Sequence, residues 1–340
     1  MKLKIHFLFL IFFHSFLSCI TTQEESIFNG FQHFLDNIYS YERKKLVGGL
    51  SKNTQYLYTV NDKKYVVRVL GEILSKRQSE VGIHSLAATH GIAPHVYYYD
   101  DAYSFIIMDY IEGHTLSLEQ ANKPEVLDCT AKKVHLITPL DAHAFINEDG
   151  WNLFAQINKD YNKIKNQQDA ILNAMIEQTF STTQSIHQFL ENQQHPLVFC
   201  HNDLNYRNIF FTEKDVIFID WEMAGMNYEL YDLAYYSVFS CLQEANDTYL
   251  LTKYLERTPF QADLNYFKYL KLMIRCCNVF YILAFLDNIP THIPMESIKD
   301  FKFYAQIFCE DPTVISPEFL YAIAISQFRM FFEEYSNMMI

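Results

Sequence analysis

His201, Asp203, Asn208 and Asp220 all fall within one stretch, LVFCHNDLNYRNIFFTEKDVIFIDWE, residues 197 to 222. Two short β-rich runs, Asn208 to Thr212 and Val216 to Trp221, flank the polar turn Glu213-Lys214-Asp215, which predicts a loop followed by a hairpin. Such a hairpin brings Asp220, at the end of the second run, back to the loop that carries the other three. A hydroxyl attacking the γ-phosphate of a nucleotide needs a carboxylate to orient it and take its proton, and oxygen ligands to fix Mg²⁺ on the phosphates. Asp203 is of the type to be that base, and Asn208 and Asp220 are of the type to be those ligands. The pattern H-x-D-x-x-x-x-N followed by an apolar strand ending in Asp is specific, because spacing, residue type and strand context must all agree. Asn and Asp are also favoured in turns for local hydrogen bonding, so the bland reading, caps on an apolar hairpin, stays open.

The elements that must position these residues follow from periodicity. Ile27, Phe31, Phe34, Leu35 and Ile38 recur at three- and four-residue spacing and predict a helix over Ser26 to Tyr41. Residues 46 to 71 alternate apolar and polar on either side of Asn61-Asp62, a second hairpin, with Gly48, Gly49, Ser51 and Asn53 in the loop before its first strand. Glycines let backbone amides approach a phosphate closely, and a short hydroxyl or amide side chain adds a donor. Arg68 is an isolated cation in the second strand, VVRVLG. Residues 75 to 90 predict a helix stopped by Gly91 and Pro94, and residues 95 to 113 a third hairpin turning at Asp100-Asp101-Ala102. From Pro124 onward the pattern is helical: Val126 to Leu136, Trp151 to Ile164, Ala170 to Leu190, the apolar run 264 to 288, and Pro317 to Met338. His135, His143 and His187 lack metal-ligand spacing and read as structural.

HNDLNYRN, then IDWE, then MNYELYDLA resemble the catalytic core of the choline/ethanolamine kinase family, relatives of the aminoglycoside phosphotransferases. The resemblance implies an α+β, two-lobed protein-kinase-like fold, with an N-lobe over residues 23 to 110 and a larger, mainly helical C-lobe over 111 to 340. It implies an enzyme using ATP and Mg²⁺ to phosphorylate a small cationic amino-alcohol, choline first, with ethanolamine, thiamine, an aminoglycoside or a catalytically silent nucleotide binder as alternatives. By the same resemblance Asp203 is the catalytic base, His201 scaffolds its loop, and Asn208 and Asp220 hold the metal. Arg68 contacts the phosphates and pairs with Glu80, and Asp109 to Ile111 form the hinge where backbone groups read adenine. Asp232 accepts catalytic-loop amides. Glu222, Trp221, Tyr236 and Tyr281 then border the acceptor, since a quaternary ammonium is recognised by aromatic faces and nearby carboxylate. The chain departs from the family at Met223, where a Tyr is usual, at SVFS, where an acid is usual, and in having only Trp151 and Trp221.

The formal charge of −13 argues against a nucleic-acid partner, for which a basic face is the electrostatic requirement, and is compatible with a cationic small substrate. Seven cysteines, without a C-x-x-C spacing, suggest reduced thiols rather than a zinc site or disulfide framework. Residues 1 to 20 hold two lysines and an apolar run from Ile5 to Leu17, shorter than the roughly 20 residues of a membrane span. Three readings of this segment stand: an anchor touching the membrane with the enzyme in the cytoplasm, an export signal, or an upstream extension or buried apolar helix. The oligomeric state is not legible.

Overall fold

The computed structural model describes residues 23–46, 53–71, 73–145, 152–193, 195–212, 215–311 and 314–338. The expectations for residues 1 to 20 and for Gly48, Gly49, Ser51 and Trp151 lie outside the described residues. Two compact units divide at Glu112 and Gly113.

The first unit is a five-stranded antiparallel sheet with a helix on each face. Helix α1 (residues 23–32) is followed by β1 (Tyr41–Lys45), β2 (Thr54–Val60), β3 (Lys63–Val69), α2 (Leu74–Thr89), β4 (Val96–Tyr99) and β5 (Phe105–Asp109), in the sheet order β1-β2-β3-β5-β4. Asn61 and Asp62 turn β2 into β3 with both φ angles positive, the left-handed pair that short hairpins favour. Ile27 and Phe31 of α1 pack on Tyr58, Val60, Tyr65, Val67 and Ile107. Val81 of α2 packs on Ile106 and Met108 on the other face. Coverage of both faces is why FIIM reads as one continuous apolar run. Gly30 lets α1 sit close to the sheet, since a Cβ there would lie 2.8 Å from Tyr98.

The helix expected through Tyr41 stops at residue 32. The Asn61 side chain takes the amide of Tyr39 and donates to the carbonyl of Asn37, and Tyr41 to Lys45 pair in register with β2. The apolar periodicity nevertheless marks a core face, because Phe34, Leu35 and Ile38 pack against the same cluster.

In the second unit α3 (Leu118–Ala121), α4 (Pro124–Lys133), α5 (Pro139–Ala142), α6 (Leu153–Ile164) and α7 (Ala170–Asn192) lead into two small antiparallel ribbons. Strand β6 (Leu197–Cys200) pairs with β9 (Gly225–Tyr228), and between them β7 (Ile209–Phe211) pairs with β8 (Val216–Phe218). The predicted hairpin is therefore shorter than expected, and it sits inside an outer ribbon that alternation did not reveal. Helices α8 (Tyr231–Phe239), α9 (Glu244–Leu255), α10 (Gln261–Phe285), α11 (Phe301–Glu310) and α12 (Pro317–Met338) complete the unit.

Helix α10 is its axis, packed by α6, α7, α8 and α12. Its buried cations are paired: Lys271 with Asp247 at 2.7 Å, and Arg275 with Glu334 at 2.8 Å. Among the described residues no helix is long and apolar enough to cross a membrane.

Candidate active site

In the first unit Arg68 projects from β3, almost fully buried, and its Nε lies 2.8 Å from Oε1 of Glu80, in the second turn of α2. Asn53, expected to be a phosphate donor, is committed elsewhere: its Nδ2 donates to Glu80 Oε2 at 3.4 Å and its Oδ1 accepts the Gly71 amide at 2.9 Å. It braces the ion pair. At the end of β5 the Asp109 amide donates to the His95 carbonyl at 2.9 Å and its carboxylate accepts the Tyr97 hydroxyl at 2.7 Å. That N–H is spent inside the sheet and is not available to read a base. Ile111 follows, beyond the strand and partly exposed.

In the second unit the loop from β6 to β7 is fixed at nearly every polar atom. The Asp232 carboxylate, at the start of α8, accepts the amides of His201 at 2.7 Å and Asn202 at 2.9 Å. The Asn202 side chain, at φ 66°, donates to the Met223 carbonyl and accepts from Asn227, tying the loop to β9. His201 lies between Ile219 O, 2.9 Å from its Nε2, and the Asp203 amide, which donates to its Nδ1 at 3.3 Å. Burial lowers its pKa to about 4, so the ring is neutral and protonated on Nε2. Its two ring nitrogens are thus both engaged with backbone of this region.

Asp203 is the focus. Asn208 Nδ2 donates to its carboxylate and to its carbonyl, at 2.8 Å each, and Asn205 Nδ2 donates to Oδ1 at 3.1 Å. Tyr235, on α8, lies in the electrostatic neighbourhood of the same carboxylate. Burial, then the charge of Asp220, push the Asp203 carboxyl up to about 6, against the pull of Tyr235, Asn205 and Asn208. Asp220 itself has φ 68°, in the left-handed region, and occupies the N-cap position of the short 3₁₀ turn Trp221–Met223 without a side-chain capping bond.

Two expected acceptor aromatics are core residues. The Trp221 ring is buried against His201, and its Nε1 donates to the Phe218 carbonyl at 3.2 Å. Tyr236 is fully buried and donates to the Ala121 carbonyl at 2.6 Å. Tyr281, by contrast, is 50% exposed on α10 and lies in the electrostatic neighbourhood of Tyr235. Glu222 is exposed just past Asp220.

Asn205 and Tyr235 were not singled out as site residues. Asn205 carries a readable signal, an Asn two residues after the Asp and just before a turn. Tyr235 has only its place three residues after Asp232, one turn along the same helix face. His135 is partly buried, with its Nε2 3.4 Å from Cys200 Sγ and its Nδ1 2.9 Å from the Tyr254 hydroxyl.

Solved structures with this fold include a choline/ethanolamine kinase family protein from Mesorhizobium loti (TM-score 0.59, 22% identity, 85% of this chain and 92% of that one). A putative aminoglycoside phosphotransferase from Ralstonia eutropha also matches (TM-score 0.61, 13% identity, 92% and 98%). The chain therefore has the kinase-like fold of these phosphotransferases, a small antiparallel sheet unit followed by a larger helical one. The family model for choline/ethanolamine kinase matches residues 44–255, and the chain belongs to that family. Its relatives include human ethanolamine kinase 1, 27% identical over 71% of this chain and 53% of that protein. Protein LicA of Haemophilus influenzae is 24% identical over 70% of each. The chain spans about half the length of the ethanolamine kinases it matches.

Proposed function

We propose that the protein is an ATP-dependent kinase that phosphorylates a small amino-alcohol, with ethanolamine as its preferred acceptor and choline second. The observation that carries this reading is the Asp203 carboxylate, clamped by Asn205 and Asn208 beside a second acid, Asp220. A clamped carboxylate of raised pKa is suited to accept a hydroxyl proton near neutral pH.

The donor set also fits Mg²⁺. Asn208 gives its Nδ2 to Asp203, so its amide oxygen is the atom it would offer as a ligand, and Asp220 would add a carboxylate, both of the hard oxygen type that this ion takes. When bound, Mg²⁺ would neutralise charge on the phosphate oxygens. Asp203 orients the acceptor hydroxyl and takes its proton as the oxygen bonds to the γ-phosphorus and the bond from that phosphorus to the bridging oxygen breaks, the electron pair leaving on ADP. His201 and Asp232 hold the loop in place while this happens. Arg68, kept in position by Glu80 and Asn53, is the candidate phosphate contact of the first unit.

The preference for ethanolamine rests on the acceptor side. A trimethylammonium group offers no N–H and depends on aromatic faces, whereas a primary ammonium brings three donors. With Trp221 and Tyr236 buried in the core, of the expected aromatics Tyr281 is left to present a face, while Glu222, exposed, is a carboxylate of the type that accepts from an ammonium. The names of the relatives support the same acceptor. The test is ADP release from ATP with ethanolamine, choline, thiamine and an aminoglycoside. Ethanolamine should give the highest kcat/KM. Equal background with all four overturns the enzyme reading, and a choline preference overturns the choice of acceptor.

A further inference from the structure

At the root of the catalytic loop three metal-ligating side chains from separate segments meet. His135 follows the end of α4, Cys200 closes β6, and Asp232 lies in the first turn of α8. Their ligand atoms, one from each, all lie within 4.8 Å of one another. His135 Nε2 is 3.4 Å from Cys200 Sγ and 3.9 Å from Asp232 Oδ2. Local spacing hides the set, because 65 residues separate the histidine from the cysteine and only the fold joins them.

Each group is presented for ligation. His135 has φ 64°, a conformation uncommon outside glycine, and its Nδ1 is 2.9 Å from the Tyr254 hydroxyl. With the ring proton on Nδ1, shared with that oxygen, Nε2 turns its lone pair to Cys200 and Asp232. A fixed bond on the outer ring nitrogen is the usual support of a metal-bound imidazole. The Asp232 carboxylate spends one lone pair on the His201 amide and one on the Asn202 amide, of about four that a carboxylate carries.

The distances suit a small tetrahedral ion. Zinc holds sulfur at about 2.3 Å and nitrogen or oxygen at about 2.0 to 2.2 Å, so its ligand atoms stand roughly 3.3 to 3.6 Å apart. The sulfur-to-nitrogen distance already fits, and the carboxylate oxygen has about half an ångström to travel. A thiolate, an imidazole and a carboxylate select Zn²⁺ or Co²⁺ over Mg²⁺, which takes oxygens in an octahedron.

We propose that His135, Cys200 and Asp232 form a Zn²⁺ site of three protein ligands, with water in the fourth position, distinct from the Mg²⁺ site of Asn208 and Asp220. Cys200 and Asp232 are buried and His135 is partly exposed, so the ion enters past the imidazole. On binding, the sulfur–hydrogen bond of Cys200 breaks, a sulfur–metal bond forms and the proton leaves to solvent, with no change of oxidation state. The ion ties the end of α4, the end of β6 and the start of α8 together, and so braces the segment from which the catalytic loop springs.

Co²⁺, which takes the same ligands and absorbs light, is the probe, titrated into the reduced full chain with Mg²⁺ in excess. Wild type should bind one equivalent, with thiolate-to-cobalt charge-transfer absorption in the near ultraviolet, and Zn²⁺ should displace it. Cys200→Ser should lose that absorption. His135→Gln, which keeps every thiol, should weaken Co²⁺ binding at least about tenfold. No absorption in wild type, or absorption that survives Cys200→Ser, overturns the site and leaves a plain hydrogen bond from thiol to imidazole. Unchanged affinity in His135→Gln overturns it as well. Circular dichroism matching wild type separates loss of a ligand from misfolding in both variants. None of these readouts uses turnover, so the site stands or falls independently of the kinase reading.

Discussion

Asn208 donates one side-chain nitrogen to both the carboxylate and the carbonyl of Asp203, at 2.8 Å each, so the candidate metal ligand also fixes the rotamer of the candidate base. The two roles are coupled, and the variants should separate them. Asp203→Asn should lower turnover by about 10²-fold or more, the usual size of a general-base contribution, with nucleotide affinity retained. Asn208→Ala should lower turnover and also weaken Mg²⁺-dependent nucleotide binding. Single-turnover rates and nucleotide titrations with and without Mg²⁺ measure the two effects. Retained nucleotide affinity in Asn208→Ala would remove it from the metal set.

The pair of Arg68 and Glu80 is nearly fully buried in the first unit. Removing one partner leaves an uncompensated buried charge, which typically costs about 3 to 5 kcal/mol. Glu80→Ala should therefore destabilise by roughly that amount, and Glu80→Ala/Arg68→Met should recover part of it. Denaturant unfolding of the three proteins decides this. A cost below about 1 kcal/mol for Glu80→Ala would show that the pair is solvated.

Tyr236 tests the distinction between an acceptor residue and a core residue. Tyr236→Phe leaves the Ala121 carbonyl without its donor and should cost about 1 to 2 kcal/mol of stability. Acceptor KM should stay at the wild-type value. A several-fold rise in KM would return Tyr236 to the acceptor side.

How much of this was readable in the sequence depends on how local each feature is. Asp203, Asn208 and Asp220 come together because a short hairpin joins them, and a hairpin is written in some ten residues of alternation and turn chemistry. Helix α12 was legible over its whole length from Pro317 and apolar spacing, while α10, expected over residues 264 to 288, runs three residues earlier at each end, Gln261–Phe285. Tyr235 and Tyr236 were not separable, since adjacent residues of one helix differ only in direction. One lies in the electrostatic neighbourhood of Asp203 and the other reaches Ala121, which lies 115 residues earlier, so the choice is made by α3 and not by any neighbour. Trp221 misled for the same reason: an aromatic beside a polar site looks available until the carbonyl of Phe218 is found bonded to its indole. Helix α1 was overextended because a core face continues past the point where the helix ends.

The last prediction concerns pH and stability. Burial lowers the pKa of His135 to about 4, from an unfolded value near 6.5. Above 6.5 the ring is neutral in both states and its contribution is complete. As pH falls from 6.5 toward 4 the unfolded chain takes up the proton first, and stability is lost at up to about 1.4 kcal/mol per pH unit. His201 acts in the same direction. Asp203 and Asp232, raised to about 6 and about 7, act in the opposite one: their contribution is full below the unfolded carboxylate value and is lost as pH rises through 6 to 7. These four groups oppose one another, so the slope of the wild-type profile alone says little. The difference between proteins is informative. His135→Gln should be less stable than wild type at pH 7, because the bonds to Tyr254 and Cys200 are lost, and the gap should shrink at pH 5 by about 1 to 2 kcal/mol. Denaturant unfolding at the two pH values measures it. A gap that stays constant would mean that His135 takes its proton as readily in the folded chain as in the unfolded one.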